Sequence, residues 1–275
     1  MRRSGCCWPV LLGVTIVAYV LQALTRPLVR FYEGYLWPGF LRRWMRKLHV
    51  KRWTQWREKA RGEDRWTRAE AYDRVFYRYP PDAAQILPTR LGNALRAAES
   101  YSGRVYGVDL PFWWPRLWTQ VPEAEQVGAE DALTALVTLL NLATLWFVAA
   151  IDGMVFLLRC GTGAGQWWWL VLAAGWALVW VCYEAAVVQA RSYGQKLRTA
   201  ADLHRFELLK TLGVPLPKDL GEERALWKRL FDWMYGYDLR SGLQVAYEHE
   251  EEQKEGTEAE RKKTLLEWLG FGGKR

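Results

Sequence analysis

Few side chains in this chain are of types and spacings that support chemistry at neutral pH. The histidines are His49, His204 and His249. His204 stands beside Asp202 and Arg205, the residue types of a proton relay. Helical positions one and two apart do not face each other, so the sequence alone builds no triad from these three. Neither a nucleophile elbow nor an i,i+4 metal pair appears. Cys6, Cys7, Cys160 and Cys182 form no CxxC pair and no Cys/His cluster, so neither a zinc site nor a disulfide framework is expected. Cys6 and Cys7 border an apolar run, where they read as inert thiols or as sites of S-acylation. The glycine run GTGAGQ (161–166) resembles a phosphate cradle. It lacks the last glycine and lies between two apolar runs, so it reads as a tight turn. No catalytic residue, metal or cofactor is expected.

Two polar groupings remain. In YPPDAAQILPTRLGN (79–93), Asp82 and Gln85 have capping-box spacing, which predicts a short helix between Pro81 and Pro88. Thr89 then caps a second helix from Arg90 to about Tyr101. Gly92 and Ala94 narrow that helix and allow another backbone close. The expected partner is the small-residue seam Ala190–Ala201, with Arg90 and Asn93 meeting Asp202, His204 and Glu207. The cluster Thr89, Arg90, Gly92 and Asn93 reads first as a cap and packing joint, and otherwise as a ligand site. The second grouping is Asn141, Asp152 and Glu184, inside or at the ends of apolar runs. A carboxylate at mid-bilayer costs ~2.5–3.5 kcal/mol. Asp152 and Glu184 both fall near span ends, so they read as interfacial carboxylates, with an ion relay as the alternative.

These residues must be positioned by helices. Residues 8–24, 132–151 and 167–189 are apolar enough to be membrane spans. The net charge is +8, and arginine and lysine crowd residues 26–78. The positive-inside rule places residue 26 onward in the cytoplasm and the N-terminus outside, with residues 1–24 a retained anchor. A basic run that begins where a span ends favours anionic lipid over nucleic acid. In residues 35–60, Trp37, Leu41, Trp44 and Leu48 share one helical face among Arg42, Arg43, Arg46 and Lys47, which predicts a helix lying on the inner leaflet. LPFWWPRLWTQVPE (110–123) reads either as a second interfacial segment or as a buried aromatic cluster, with Pro115 at the first position of a short helix.

The third span has no proline until Pro215. Val187, Ala190, Gly194, Leu197, Ala201, His204 and Leu208 alternate at steps of three and four, so one helix of about 45 residues is expected to run on into the cytoplasm and stop at Gly213. Asp219 and Glu222 predict the start of a last helix with Leu226, Trp227, Leu230, Phe231 and Met234 on its apolar face. The fold class is therefore mainly α: a helical membrane protein with about three transmembrane helices. Its segments are an anchor (1–25), a cytoplasmic basic and helical stretch (26–130), a transmembrane hairpin (131–190), a helical extension (191–240) and a charged tail (241–275).

The stretches LPTRLGN, RVYGVD, WPRLW and DLHRFELLKTLGVPLP occur in that order around the hairpin. In this the chain resembles a group of uncharacterised bacterial multi-pass inner-membrane proteins over roughly residues 26–235. RVYGVD departs from that group's RYG-D pattern, and the tail after about residue 240 has no counterpart. The resemblance implies a topology and no biochemistry. The leading functional reading is a membrane-anchored interaction or assembly protein, bound to anionic lipid and to a protein partner or a second copy of itself. The alternatives are a subunit of an oligomeric transporter or channel, and a membrane-bound enzyme with a pocket near Arg90, Asn93 and His204.

Overall fold

The computed structural model describes residues 7–160 and 167–236. The expected turn at 161–166, His249 and the charged tail lie outside the described residues. Among those residues the protein has nine α-helices and no strand. They are α1 (Cys7–Ala23), α2 (Thr25–Glu33), α3 (Gly39–Lys59), α4 (Arg65–Arg78), α5 (Arg90–Tyr106), α6 (Leu110–Leu117), α7 (Glu123–Cys160), α8 (Trp167–Thr211) and α9 (Leu220–Met234).

Two of these, α7 and α8, are long and apolar enough to cross a membrane. Only 22% and 17% of their most apolar windows is buried, so they are not the covered core helices of a globular domain. Between them α1 and these helices leave Leu12, Ile16, Tyr19, Phe147, Leu158 and Trp180 exposed. The helix expected to continue beyond the third span is α8, 45 residues with no break. Gly213 ends it with a φ of 67°, and the Val214 N–H reaches back to the Leu209 carbonyl. All seven residues of the expected seam, Val187 to Leu208, are buried.

The chain forms two compact units: residues 1–101 with 122–199, and residues 102–121 with 200–275. The first is built on Leu91, Ala94 and Leu95 of α5, Leu136 and Leu140 of α7, and Ala186, Val187 and Ala190 of α8. Tyr32 of α2 packs on this core, stacks on Tyr183, and shares a 3.1 Å hydrogen bond with Thr144. Helix α3 packs against α4, which Asp64 caps by accepting the Thr67 N–H.

The second unit settles the alternatives for the stretch 110–123 in favour of a buried aromatic cluster. Trp113, Leu117, Trp227 and Leu230 are fully buried, and Trp113 meets Trp227 edge to face at 5.1 Å. The placing of Pro115 is corrected. Asp109 caps α6 through the Phe112 N–H, so the helix starts a turn earlier than expected. Pro111 takes the N-terminal position and Pro115 falls inside the helix. The predicted cap of α9 is present, with Asp219 accepting the Glu222 N–H at 2.8 Å.

Candidate anion pocket and membrane face

LPTRLGN is a joint between α5 and the end of α2. Gly34 terminates α2 with a φ of 91°, a left-handed conformation open to glycine, and Pro88 packs on it. Thr89 does two jobs. Its hydroxyl accepts the Gly92 N–H at 3.0 Å, capping α5 as predicted, and donates to the Glu33 carbonyl at 2.9 Å. The helix predicted between Pro81 and Pro88 is only a single 3-10 turn, Ala83–Gln85.

Asn93 is fully buried and all its polar atoms are used. Its side chain accepts the Leu87 N–H and donates to the Leu87 and Thr89 carbonyls, at 2.7–2.8 Å. The close backbone approach at Gly92 exists, but its partner is the Glu33 carbonyl rather than the seam of α8. The seam meets the other face of α5, through Ala94 and Ala98.

The expected partners of Arg90 and Asn93 are also corrected. Arg90 forms an ion pair with Glu184 of α8, and Ala98 lies against Gly194. Helices α5 and α8 therefore run parallel, whereas a meeting with Asp202, His204 and Glu207 needs them antiparallel. Within the second unit His204 is buried and its Nδ1 lies 2.8 Å from Glu207 Oε2. Arg205 binds Glu223 at 2.8 Å, also donates to the Asp202 carbonyl, and covers the Tyr106 ring. Every described partner here is structural: an ion pair, a carbonyl or a ring. Of the intramembrane polar residues, Glu184 has Arg90 as its counter-ion, Asp152 is exposed on α7 and Asn141 is half-buried.

On α3 the exposed apolar stripe is Phe40, Trp44 and Leu48, with Leu36 one turn before the helix. Trp44 and Leu48 are exposed as expected, whereas Trp37 and Leu41, also expected on this stripe, are half-buried. Arg42, Arg43 and Lys47 are exposed. Arg46 is engaged elsewhere, donating to the carbonyls of Ala83, Ala84 and Ile86 at 3.1–3.2 Å. It caps the 3-10 turn.

The C-terminal half of α3 contributes to a cavity of about 290 Å³ inside the first unit. Five arginines line it: Arg52 from α3, Arg74 and Arg78 from α4, Arg90 from α5 and Arg191 from α8. Asn93, Trp56 and Tyr79 complete the wall. His49 is buried behind it, 3.2 Å from the Tyr79 hydroxyl. Burial, with Arg52 and Arg90 adding repulsion, lowers the His49 pKa to about 4, so the ring is neutral. Burial also depresses the pKa of Arg191, and Arg78 and Arg90 depress it further.

Sequence reasoning found Arg90 and Asn93 and missed the other four arginines. They are spread over three more helices, and each reads in sequence as part of a solvated basic face. The fold and these sites define a mainly α-helical protein, consistent with a membrane protein. Comparison with known proteins finds no matching family model, no matching curated protein and no matching solved structure.

Proposed function

We propose that the protein is a membrane-anchored interaction protein of the bacterial inner membrane that holds a helical surface against the anionic cytoplasmic leaflet. In this reading α7 and α8 span the bilayer as a hairpin, α1 is a third anchor, and α3 lies on the headgroups. The observation that carries it is the uncovered stripe Phe40, Trp44 and Leu48, with Phe40 72% exposed, flanked by Arg43, Lys47 and Lys51. An apolar ridge between cations is complementary to an anionic bilayer surface, where each cation contributes about 1 kcal/mol. The arginine bias after the first span and the resemblance to multi-pass membrane proteins support the same orientation. The partner is a protein or a second copy of the chain, received by the cytoplasmic helices.

The test is depth measurement in liposomes. Spin labels at positions 40 and 44, on a cysteine-replaced background, should be shielded from a water-soluble relaxant when the bilayer contains anionic lipid. A label at position 57, exposed on the other side of α3, should remain accessible. Replacing Arg42, Arg43 and Lys47 by Gln should expose the first two labels. Accessible labels at 40 and 44 in the unaltered basic background would refute the leaflet contact.

A further inference from the structure

We infer that the cavity bounded by Arg52, Arg74, Arg78, Arg90 and Arg191 is a binding site for a phosphate-bearing anion carrying at least two negative charges. The argument starts from the cost of the empty arrangement. Five arginines from four helices line one cavity of about 290 Å³. The carboxylates within reach are fewer. Glu70 is bonded to Arg74 at 2.6 Å, Glu184 is paired with Arg90, and Asp73 acts on Arg191 from a distance. Positive charge is thus left in excess, and like charges gathered in a partly desolvated site repel.

Arg191 shows where the excess sits. Its Nε is shut off from solvent and has no hydrogen-bond partner in the protein. Leaving a buried donor unmade costs its full desolvation penalty, which adds to the cost of the empty arrangement. Arginine is the residue suited to phosphate, because its planar fork gives two parallel hydrogen bonds to two oxygens.

The aromatic wall refines the ligand. Trp56 has Arg74 and Lys59 over its ring, at 4.2 and 4.6 Å from the centroid. The ring is already engaged by cations, so the cavity recognises the phosphate rather than a stacked base. Asn93 has spent its polar atoms on Leu87 and Thr89 and serves as a wall. The site's depth admits two sources. Glu184 and Arg191 lie where the apolar stretch of α8 ends, the level of lipid headgroups, and basic pockets beside transmembrane helices take polyanionic headgroups. A soluble diphosphate carries the same chemistry from the cytoplasm.

The experiment uses the full chain in detergent and in nanodiscs, with inorganic pyrophosphate and cardiolipin as probes. Thermal melting and calorimetry measure pyrophosphate, and native mass spectrometry counts retained cardiolipin. At least one probe should bind and raise the melting temperature. Arg78→Gln with Arg191→Gln should weaken that binding about tenfold or more, as charge-assisted hydrogen bonds to phosphate are lost. In the absence of ligand the same variant should melt no lower than the parent, because repulsion is relieved. Arg78→Lys with Arg191→Lys should recover only part of the affinity, since charge returns without the fork.

Cardiolipin binding without pyrophosphate binding supports the lipid source, and the reverse supports a soluble one. Arg65→Gln with Arg68→Gln, exposed cations of α4 outside both the pocket and the leaflet contact, should leave pocket binding unchanged, which separates the site from a general loss of positive charge. Binding of neither probe overturns the proposal. So does binding that survives loss of Arg78 and Arg191, or a variant that melts lower without ligand.

Discussion

Gly194 of α8 lies directly against Ala98 of α5, so close that a Cβ on the glycine would come within 2.8 Å of the alanine Cβ. Two helices that run parallel through the core of the first unit touch there with one methyl between them. Gly194→Ala should therefore destabilise the protein by ~1–3 kcal/mol, the usual cost of overpacking. Adding Ala98→Gly moves the methyl to the other helix and should restore much of the loss, less the ~1 kcal/mol of a helical glycine. Thermal melts of the two single variants and the double variant in detergent give the answer. Purely additive losses would mean that the two residues are not in contact.

The joint at Gly92 is tighter in kind, because the neighbouring atom is backbone. A Cβ there would meet the Glu33 carbonyl oxygen at 2.7 Å, and a carbonyl fixed by the Thr89 hydroxyl cannot turn aside. Gly92→Leu should cost ~1–3 kcal/mol or more. Arg90→Ala should cost less, because its ion pair with Glu184 is partly exposed and such pairs contribute ~0–1 kcal/mol. The two melting temperatures should therefore fall in that order, and the reverse order would show that Arg90 holds the joint.

One buried and one half-buried group give the first unit opposing pH dependences. His49 has its pKa lowered from 6.5 to about 4, so the unfolded chain takes up a proton there first. Its contribution is fully present above pH 6.5 and is lost as pH falls toward 4. Glu33 is raised from 4.5 to about 7, by burial first and then by Glu99. Its contribution is fully present below pH 4.5 and is lost as pH rises through 7. Between pH 4.5 and 6.5 the two trends oppose each other. Glu33→Gln should expose a stability that rises with pH, and His49→Gln one that falls with pH. Denaturation midpoints measured across that range decide it, and parallel profiles for both variants would refute the assignment.

The long helix α8 was legible because nothing interrupts its pattern. No proline occurs before Pro215, Gly213 supplies the stop, and the small-residue seam repeats at steps of three and four. The caps at Thr89, Asp82 and Asp219 were legible for the same reason: a cap is a local rule over three or four residues. The direction of α5 against α8 was not local. Small residues at Ala94, Ala98, Ala190 and Gly194 allow either direction, and the ion pair that distinguishes them joins residues 90 and 184. The pocket was hidden for a related reason. Arg52, Arg74, Arg78 and Arg191 become one site only when α3, α4, α5 and α8 are packed. Arg46 shows the converse, a basic residue that sequence assigns to lipid and the fold uses as a cap for three carbonyls.

Arg205 and Glu223 form the buried ion pair of the second unit, 2.8 Å apart, with side chains only 14% and 5% exposed. Tyr106 and Phe206 stack on the guanidinium, and the Asp202 carbonyl accepts one of its N–H groups. Glu223→Leu would leave a guanidinium without its carboxylate among rings, and breaking one side of a buried pair costs ~3–5 kcal/mol. Replacing both partners, Arg205→Met with Glu223→Leu, removes the stranded charge. The double variant should regain most of the loss, because apolar residues of similar volume substitute well for buried pairs. The Tyr106 ring keeps a neighbour in methionine, whose thioether packs favourably on aromatic rings. Chemical denaturation followed by aromatic circular dichroism, which reports the Trp113–Trp227 cluster of the same unit, measures both variants. A single Glu223→Leu variant as stable as the parent would mean that solvent reaches Arg205. A double variant less stable than the single one would mean that the pair, with its carbonyl and ring contacts, stabilises the unit more than apolar packing does.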